Sequence, residues 1–302
     1  MVHKMQGVFQ IIPPMAWLVI AVLATSAWAL VVRVLMKKEG DFLASASITD
    51  VFSVIFLILF VVLLGPTFGS TLPSLDLGVI PPFQWVLWAG VSILYTGYVF
   101  FTFKASQKVE AAERAILGQS QIIWTVAFSA IFLSEPLGFG KLAAIFLILV
   151  GSILCIYRPT KAKWKLEGVH LVLIASLFIG GASVADKFNL QLIPPLVYAI
   201  PTYAVPAICF SIMMGKDSIS RMGAIAKKYS KEVALISFIS ISSFTTLLIS
   251  LSQMEASVAI PLLNTYIVVT ALGGMLLLGE REAWAQKLIG ALLAFAGAIM
   301  IA

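Results

Sequence analysis

An all-α integral membrane fold of ten transmembrane helices, arranged as two inverted five-helix repeats, is what the sequence predicts. Three observations lead there. Of 302 residues, 61% are hydrophobic and only 11% are charged, with mean hydropathy +1.04; a soluble globular domain carries about 25% charged residues. The apolar residues fall in continuous runs of roughly 17 to 22 rather than in alternating ten-residue segments, so the spans are helices and not barrel strands. Polar residues also recur at matched places in the two halves of the chain.

The runs, bounded by charge, Gly or Pro, are 15–36, 49–65, 83–103, 113–133 and 141–157, then 167–188, 195–214, 232–251, 256–278 and 284–302. Ahead of the first lies "MVHKMQGVFQIIPP", whose apolar core is too short for a cleaved signal, so the first span is expected to be retained. "RPTKAKWK", residues 158–165, is the basic, apolar-poor segment near the midpoint. It reads as a linker between a first five-helix unit (15–157) and a second (166–302).

The repeat is visible in the carboxylates. Glu110 and Glu135 are 25 residues apart, as are Glu255 and Glu280. Superposing these pairs sets Gln119 on Asn264, Ser120 on Thr265, Gln121 on Tyr266 and Thr125 on Thr270, polar on polar each time. Beyond them "KLAAIFLILVG" (Lys141 to Gly151) matches "KLIGALLAFAG" (Lys287 to Gly297). Five spans per unit is an odd number, so the second unit crosses the membrane in the opposite sense, a plan common in secondary transporters.

A helix "A-x-A…PLL", an "LGE" turn and a helix "K-L-x-G-x-x-L-x-x-x-G" together resemble the EamA family of the drug/metabolite transporter superfamily. The second unit carries the pattern through Ala256, Pro261, Leu262, Leu278, Gly279, Glu280, Gly290 and Gly297; in the first, Ile116 stands in place of the proline and Ser134 in place of the glycine. The resemblance implies small-molecule transport, typically export of metabolites or amino acids, by alternating access around a central cavity. It also implies that both termini face the cytoplasm. The charges point the other way: all of the 20 Lys and Arg residues except Lys4, Lys141 and Lys187 fall after odd-numbered spans, which by the positive-inside rule puts both termini outside. Both orientations stay open.

Candidate binding residues come from the matched polar positions. Three- and four-residue steps align Leu263, Tyr266, Thr270 and Gly273 on one face of the ninth helix and place Asn264 on another. The matching stripe of the fourth helix is Gly118, Gln121, Thr125 and Phe128, with Gln119 diverging. Across the repeat axis the two stripes would wall a midplane substrate site; the plainer role is interhelical hydrogen bonding. Tyr95 and Tyr98, with Trp88 and Phe101, make the third helix aromatic, whereas Ser237, Ser240, Ser242, Ser243, Thr245 and Thr246 make the eighth hydroxylated. With Trp28 of the first helix, such walls suit a compact amphipathic solute; an interfacial aromatic belt and close helix packing are the structural alternatives. Pro261 frees the carbonyl of Ser257 and predicts a kink in the ninth helix. Ile116 at the equivalent place predicts a straighter fourth.

Charges at membrane depth add a second set. Arg33 and Lys187 occupy similar late positions in the first helix of each unit and are candidates to bind a carboxylate, or else to snorkel. Glu110, Glu113 and Glu255 head the fourth and ninth helices; Glu110 or Glu255 is the candidate to take up a coupling proton, against the simpler role of a carboxylate at a helix N-terminus. Glu135 and Glu280 are read as fixing the turns into the last span of each unit.

Other chemistries lack their motifs. "GFGKLA" is too short for a phosphate-binding loop and lacks the hydroxyl after Lys141, so ATP is not expected to drive transport. His3 and His170 stand alone, and Cys155 and Cys209 lie inside apolar runs as small core residues, so no cofactor, metal or enzymatic role is expected. The basic groups lack aromatic interleaving, which argues against nucleic acid. The expected partners are the lipid bilayer of the cell (inner or plasma) membrane, a small-molecule substrate with amino acids foremost, and a coupling proton. A phosphorylated-sugar or nucleotide-sugar exchanger is the neighbouring alternative and needs several buried basic groups, for which Arg33, Lys104 and Lys187 are available. A channel or accessory membrane subunit is the alternative outside carriers.

Overall fold

Paired prolines start three of the long helices. In each pair the first proline takes an extended conformation (ψ 140° at Pro13, 149° at Pro81, 139° at Pro194) and the second occupies the first helical turn, where its missing N–H costs nothing. The computed structural model describes residues 13–64, 80–133, 138–158, 163–164, 167–190, 193–253, 256–280 and 283–301. Before the midpoint lie α1 (Pro14–Lys38), α2 (Phe42–Leu64), α3 (Pro82–Lys108), α4 (Ala111–Gly118), α5 (Ser120–Leu133) and α6 (Phe139–Ile156). After it come α7 (Val169–Asn189), α8 (Pro195–Met214), α9 (Ser218–Lys228), α10 (Ser230–Gln253), α11 (Ala256–Leu263), α12 (Tyr266–Leu277) and α13 (Trp284–Ile301). The basic linker holds a two-residue antiparallel ladder, β1 (Tyr157–Arg158) with β2 (Lys163–Trp164), pairing Tyr157 with Trp164.

Among the described residues six helices are long and apolar enough to cross a membrane: α1, α2, α3, α7, α8 and α10. The outward faces of these and the other helices carry large apolar side chains, such as Leu63, Ile131, Phe146, Ile212 and Leu276, each at least 65% exposed. Side chains of this kind would be a liability in water and are at home against lipid.

The structure departs from the sequence reading in four places. α2 starts at Phe42 rather than near 49, because Asp41 Oδ1 accepts the Ala44 N–H at 3.1 Å and the hydroxyls of Thr49 and Ser53 bond back to Ser45 O and Thr49 O. α9 is an additional short helix with Arg221, Lys227 and Lys228 on it; Arg221 grips Asp41 through two 2.7 Å hydrogen bonds, which hold the Asp41 carboxyl below its usual range. The fourth span is two helices, α4 and α5, and the ninth is likewise α11 and α12. Ile116 therefore does not keep the fourth straight: both are interrupted at equivalent turns.

The main helix pairings recur when the two parts of the chain are exchanged. α1 lies against α10 and α12, and α7, its counterpart, lies against α3 and α5; α2 pairs with α8 and α6 with α13. In lipid no hydrophobic force gathers helices, so backbones approach through small residues. A Cβ on Gly151 would lie 2.5 Å from Gly290 O, and one on Gly297 would lie 2.7 Å from Ala144 O. The matched glycines that end "KLAAIFLILVG" and "KLIGALLAFAG" are thus the closest part of the α6/α13 seam.

Adding one methyl group there should be felt. Gly151→Ala and Gly297→Ala are each expected to lose about 1–3 kcal/mol by overpacking, read as a lowered thermal midpoint in detergent. Gly223→Ala, on α9 with open space around it, should lose nothing.

Candidate functional site

The polar clusters that the sequence singles out sit at the two helix interruptions. At the first, the Gln119 N–H turns back to Ile116 O at 3.1 Å, and Ile122 N–H to Gln119 O at 2.9 Å. At the second, Thr265 N–H reaches Leu262 O at 3.1 Å and Ile267 N–H reaches Asn264 O at 3.2 Å. Each interruption is one tightened turn stabilised by its own side chain: Gln119 Nε2 donates to Ala115 O at 3.4 Å, and Asn264 Nδ2 to Ile260 O at 2.8 Å. Gln121 Nε2 then donates to Asn264 Oδ1 at 3.0 Å, tying the two breaks together. Asn264 is fully buried at this bridge.

Beside this bridge lies a cavity of about 150 Å³. Its walls come from α1 (Thr25, Trp28), α2 (Asp50), α3 (Tyr95, Tyr98), α5 (Gln121), α7 (Asp186), α8 (Tyr203), α10 (Ser240, Ser243) and α12 (Tyr266). Of the residues expected to wall it, Tyr95 and Tyr98 on α3 and Ser240 and Ser243 on α10 line the cavity, whereas the hydroxyls of Ser237, Ser242, Thr245 and Thr246 bond back to carbonyls four residues earlier. Trp88, however, is turned into the helix packing, its indole N–H donating to Tyr198 O at 3.2 Å, and Phe101 stacks on Phe178.

Two carboxylates line the cavity that the sequence reading passed over. Asp186 accepts the Tyr95 hydroxyl at 2.7 Å and the Tyr198 hydroxyl in a short bond, joining α7, α3 and α8. Asp50 is buried, and its Oδ2 has no hydrogen-bond partner. The signal for both was an Asp inside an apolar run, but Asp50 fell at the edge of an expected span and Asp186 stood next to Lys187.

Beyond the Trp28 side of the cavity lies a cluster of ion pairs. Trp28 and Phe103 meet edge to face with ring centroids 6.4 Å apart, and the Arg114 guanidinium lies 5.4 Å from the centre of the Trp28 ring. Behind them Arg33 Nε binds Glu280 Oε1 at 3.2 Å and Arg33 Nη1 binds Ser106 O at 2.6 Å. Lys37 reaches Glu280 at 3.3 Å, and Glu280 Oε2 accepts the Ala111 N–H at 3.0 Å, anchoring the N-terminus of α4. Lys287 joins Glu110 and lies 3.8 Å from Glu113. Gly279, at φ 65°, makes the turn that brings Glu280 inward. Asp186 lies about 27 Å along α7 from Gly168 at 1.5 Å per residue.

A family model described as "EamA-like transporter family" matches residues 12–157 and again 166–302. The chain belongs to the EamA-like transporter family. It is a multi-pass membrane protein of the drug/metabolite transporter superfamily, with two family repeats in one chain, and the family is one of transporters rather than enzymes. A solved structure described as "Crystal structure of protein" superposes with a TM-score of 0.56 at 18% identity, covering 95% of each chain, a likeness of fold alone. No curated protein matches.

In this EamA-like protein the candidate residues divide. Trp28, Tyr95, Tyr98, Gln121 and Tyr266 line the cavity. Gln119, Asn264 and Thr270 are fully buried at or just beyond the breaks, and Thr125 lies 3.4 Å from Gly180 O. Arg33 and Glu110 do not face the cavity: Glu280 and Lys287 hold them beyond its Trp28 side. Glu135 and Glu255 lie outside the described residues, as does the side chain of Lys187.

Removing the charge of Glu280 leaves Arg33 buried without its partner and α4 without its anchor. Glu280→Gln is expected to cost about 3–5 kcal/mol, measurable as a lower thermal midpoint and a lower yield of monodisperse protein. Lys37→Ala, at the exposed edge of the same cluster, should change either by far less.

Proposed function

We propose that the protein is a secondary, ATP-independent exporter of amino acids or similar small amphipathic metabolites in the cell membrane. It works by alternating access between two inverted five-helix units, 15–157 and 166–302, joined by 158–165. The broken pairs α4/α5 and α11/α12 each count as one span in this reading, which makes ten. The observation that carries it is the cavity lining: aromatic rings, hydroxyls, the Gln121 amide and two carboxylates line it, and no Lys or Arg is among the described lining residues. That composition favours a solute with an apolar body and an ammonium group, and disfavours phosphorylated sugars or nucleotide sugars, which need convergent basic groups.

Trp28, Tyr95, Tyr98, Gln121 and Tyr266 contact the solute in this reading, while Gln119, Thr125, Asn264 and Thr270 hold the interrupted helices in place. The ion pairs of Arg33, Glu110, Glu280 and Lys287 form a closed gate between the cavity and the adjacent face.

Proteoliposomes preloaded with a mixture of amino acids and related metabolites test the reading. Selective, saturable loss of amino acids relative to protein-free vesicles is expected. Tyr266→Phe and Gln121→Ala should each raise KM about three- to tenfold, the loss of one hydrogen bond, with expression intact. Folded protein that releases none of the solutes would overturn it.

A further inference from the structure

Asp50 differs from the other buried charges among the described residues. Arg33, Glu280 and Lys287 are ion-paired, Arg114 donates to Ala29 O at 3.0 Å and covers Trp28, and Asp186 accepts two phenolic hydroxyls. Asp50 is only 5% exposed, lines the cavity, and its Oδ2 has no partner. It lies about 12 Å along α2 from Phe42 at 1.5 Å per residue, well within the span.

Among the described residues its surroundings offer no cation. The titratable groups on the cavity wall are Tyr203 from α8, Tyr95 and Tyr98 from α3, and Asp186 from α7; α10 contributes the hydroxyls of Ser240 and Ser243. α9 also packs on α2, but its Arg221 is spent on Asp41. An ionised carboxylate in this setting is too costly to stand alone. It must hold a proton or find a cation in the cavity, and one oxygen pair cannot do both. Trp28, Tyr98, Tyr203 and Phe244 line the same cavity, and aromatic faces attract an ammonium group further.

We propose that Asp50 binds in turn a proton and the ammonium group of the solute, and so exchanges one proton for each primary-amine solute carried. The proposal rests on the carrier reading given above. As the ammonium docks, the Asp50 proton leaves to water; as the ammonium departs on the other side, a proton returns. No covalent bond changes, and charge balances at the carboxylate. Asp186 has both oxygens engaged by Tyr95 and Tyr198 and acts as a positioning residue for α3, α7 and α8.

The experiment uses purified full-length protein in weakly buffered detergent solution near neutral pH, with 2-phenylethylamine as the probe and a pH indicator as the readout. Wild type should release about one proton per bound amine, and none with 2-phenylethanol. Asp50→Asn should bind the amine at least tenfold more weakly and release no proton, while Asp50→Glu should keep the release. Should Asp50→Asn fail to fold, the amine and alcohol comparison on wild type together with Asp50→Glu still decides. Amine binding without proton release, release undiminished in Asp50→Asn, or no binding of the amine to folded wild type would each overturn the proposal. If vesicles of the same protein still export amino acids, only the role of Asp50 falls; if they export nothing, the carrier reading falls with it.

Discussion

A helix that is interrupted inside a membrane frees backbone groups that have no water to turn to. Here two helices are interrupted at matching positions of the repeat, and the surrounding structure depends on how those groups are satisfied. Gln119 and Asn264 each return an amide to the carbonyl four residues earlier, and Gln121 links one interruption to the other. Once the turns are stabilised, Gln121 and Tyr266 are free to point inward, and the cavity has two walls that continuous helices would not have given it.

Much of this was legible in the sequence. Hydropathy marked the long helices, and the 25-residue spacing of the carboxylates marked the repeat that the family model also finds. The same superposition put Gln119 on Asn264, the two residues that hold the interruptions. What it did not show was the interruption itself. Pro261 appears in one half and Ile116 in the other, so proline alone pointed to a kink in the ninth helix and a straight fourth. Side-chain bonding to the preceding turn, a local choice that periodicity does not register, decided the matter in both halves.

The charges were misplaced for a different reason. Arg33 and Glu110 stood out because they are ionic and near helix ends, but their partners are 247 and 177 residues away in the chain, and no spacing rule spans that distance. Asp50 and Asp186 were hidden by their neighbours, one at a span edge and one beside a lysine. Partnership separates these groups, since a paired charge stabilises its cluster and an unpaired one is left to respond to what enters.

The seam between α6 and α13 sets a limit on how the molecule can change shape. Gly151 meets Gly290 and Gly297 meets Ala144 with almost nothing between the backbones, so the line has little room to slide or to part. It lies away from the cavity and joins the last long helix of one half to the last of the other. The final helices of the two halves of a duplicated chain are thus bound to each other as two leaves are bound at a spine.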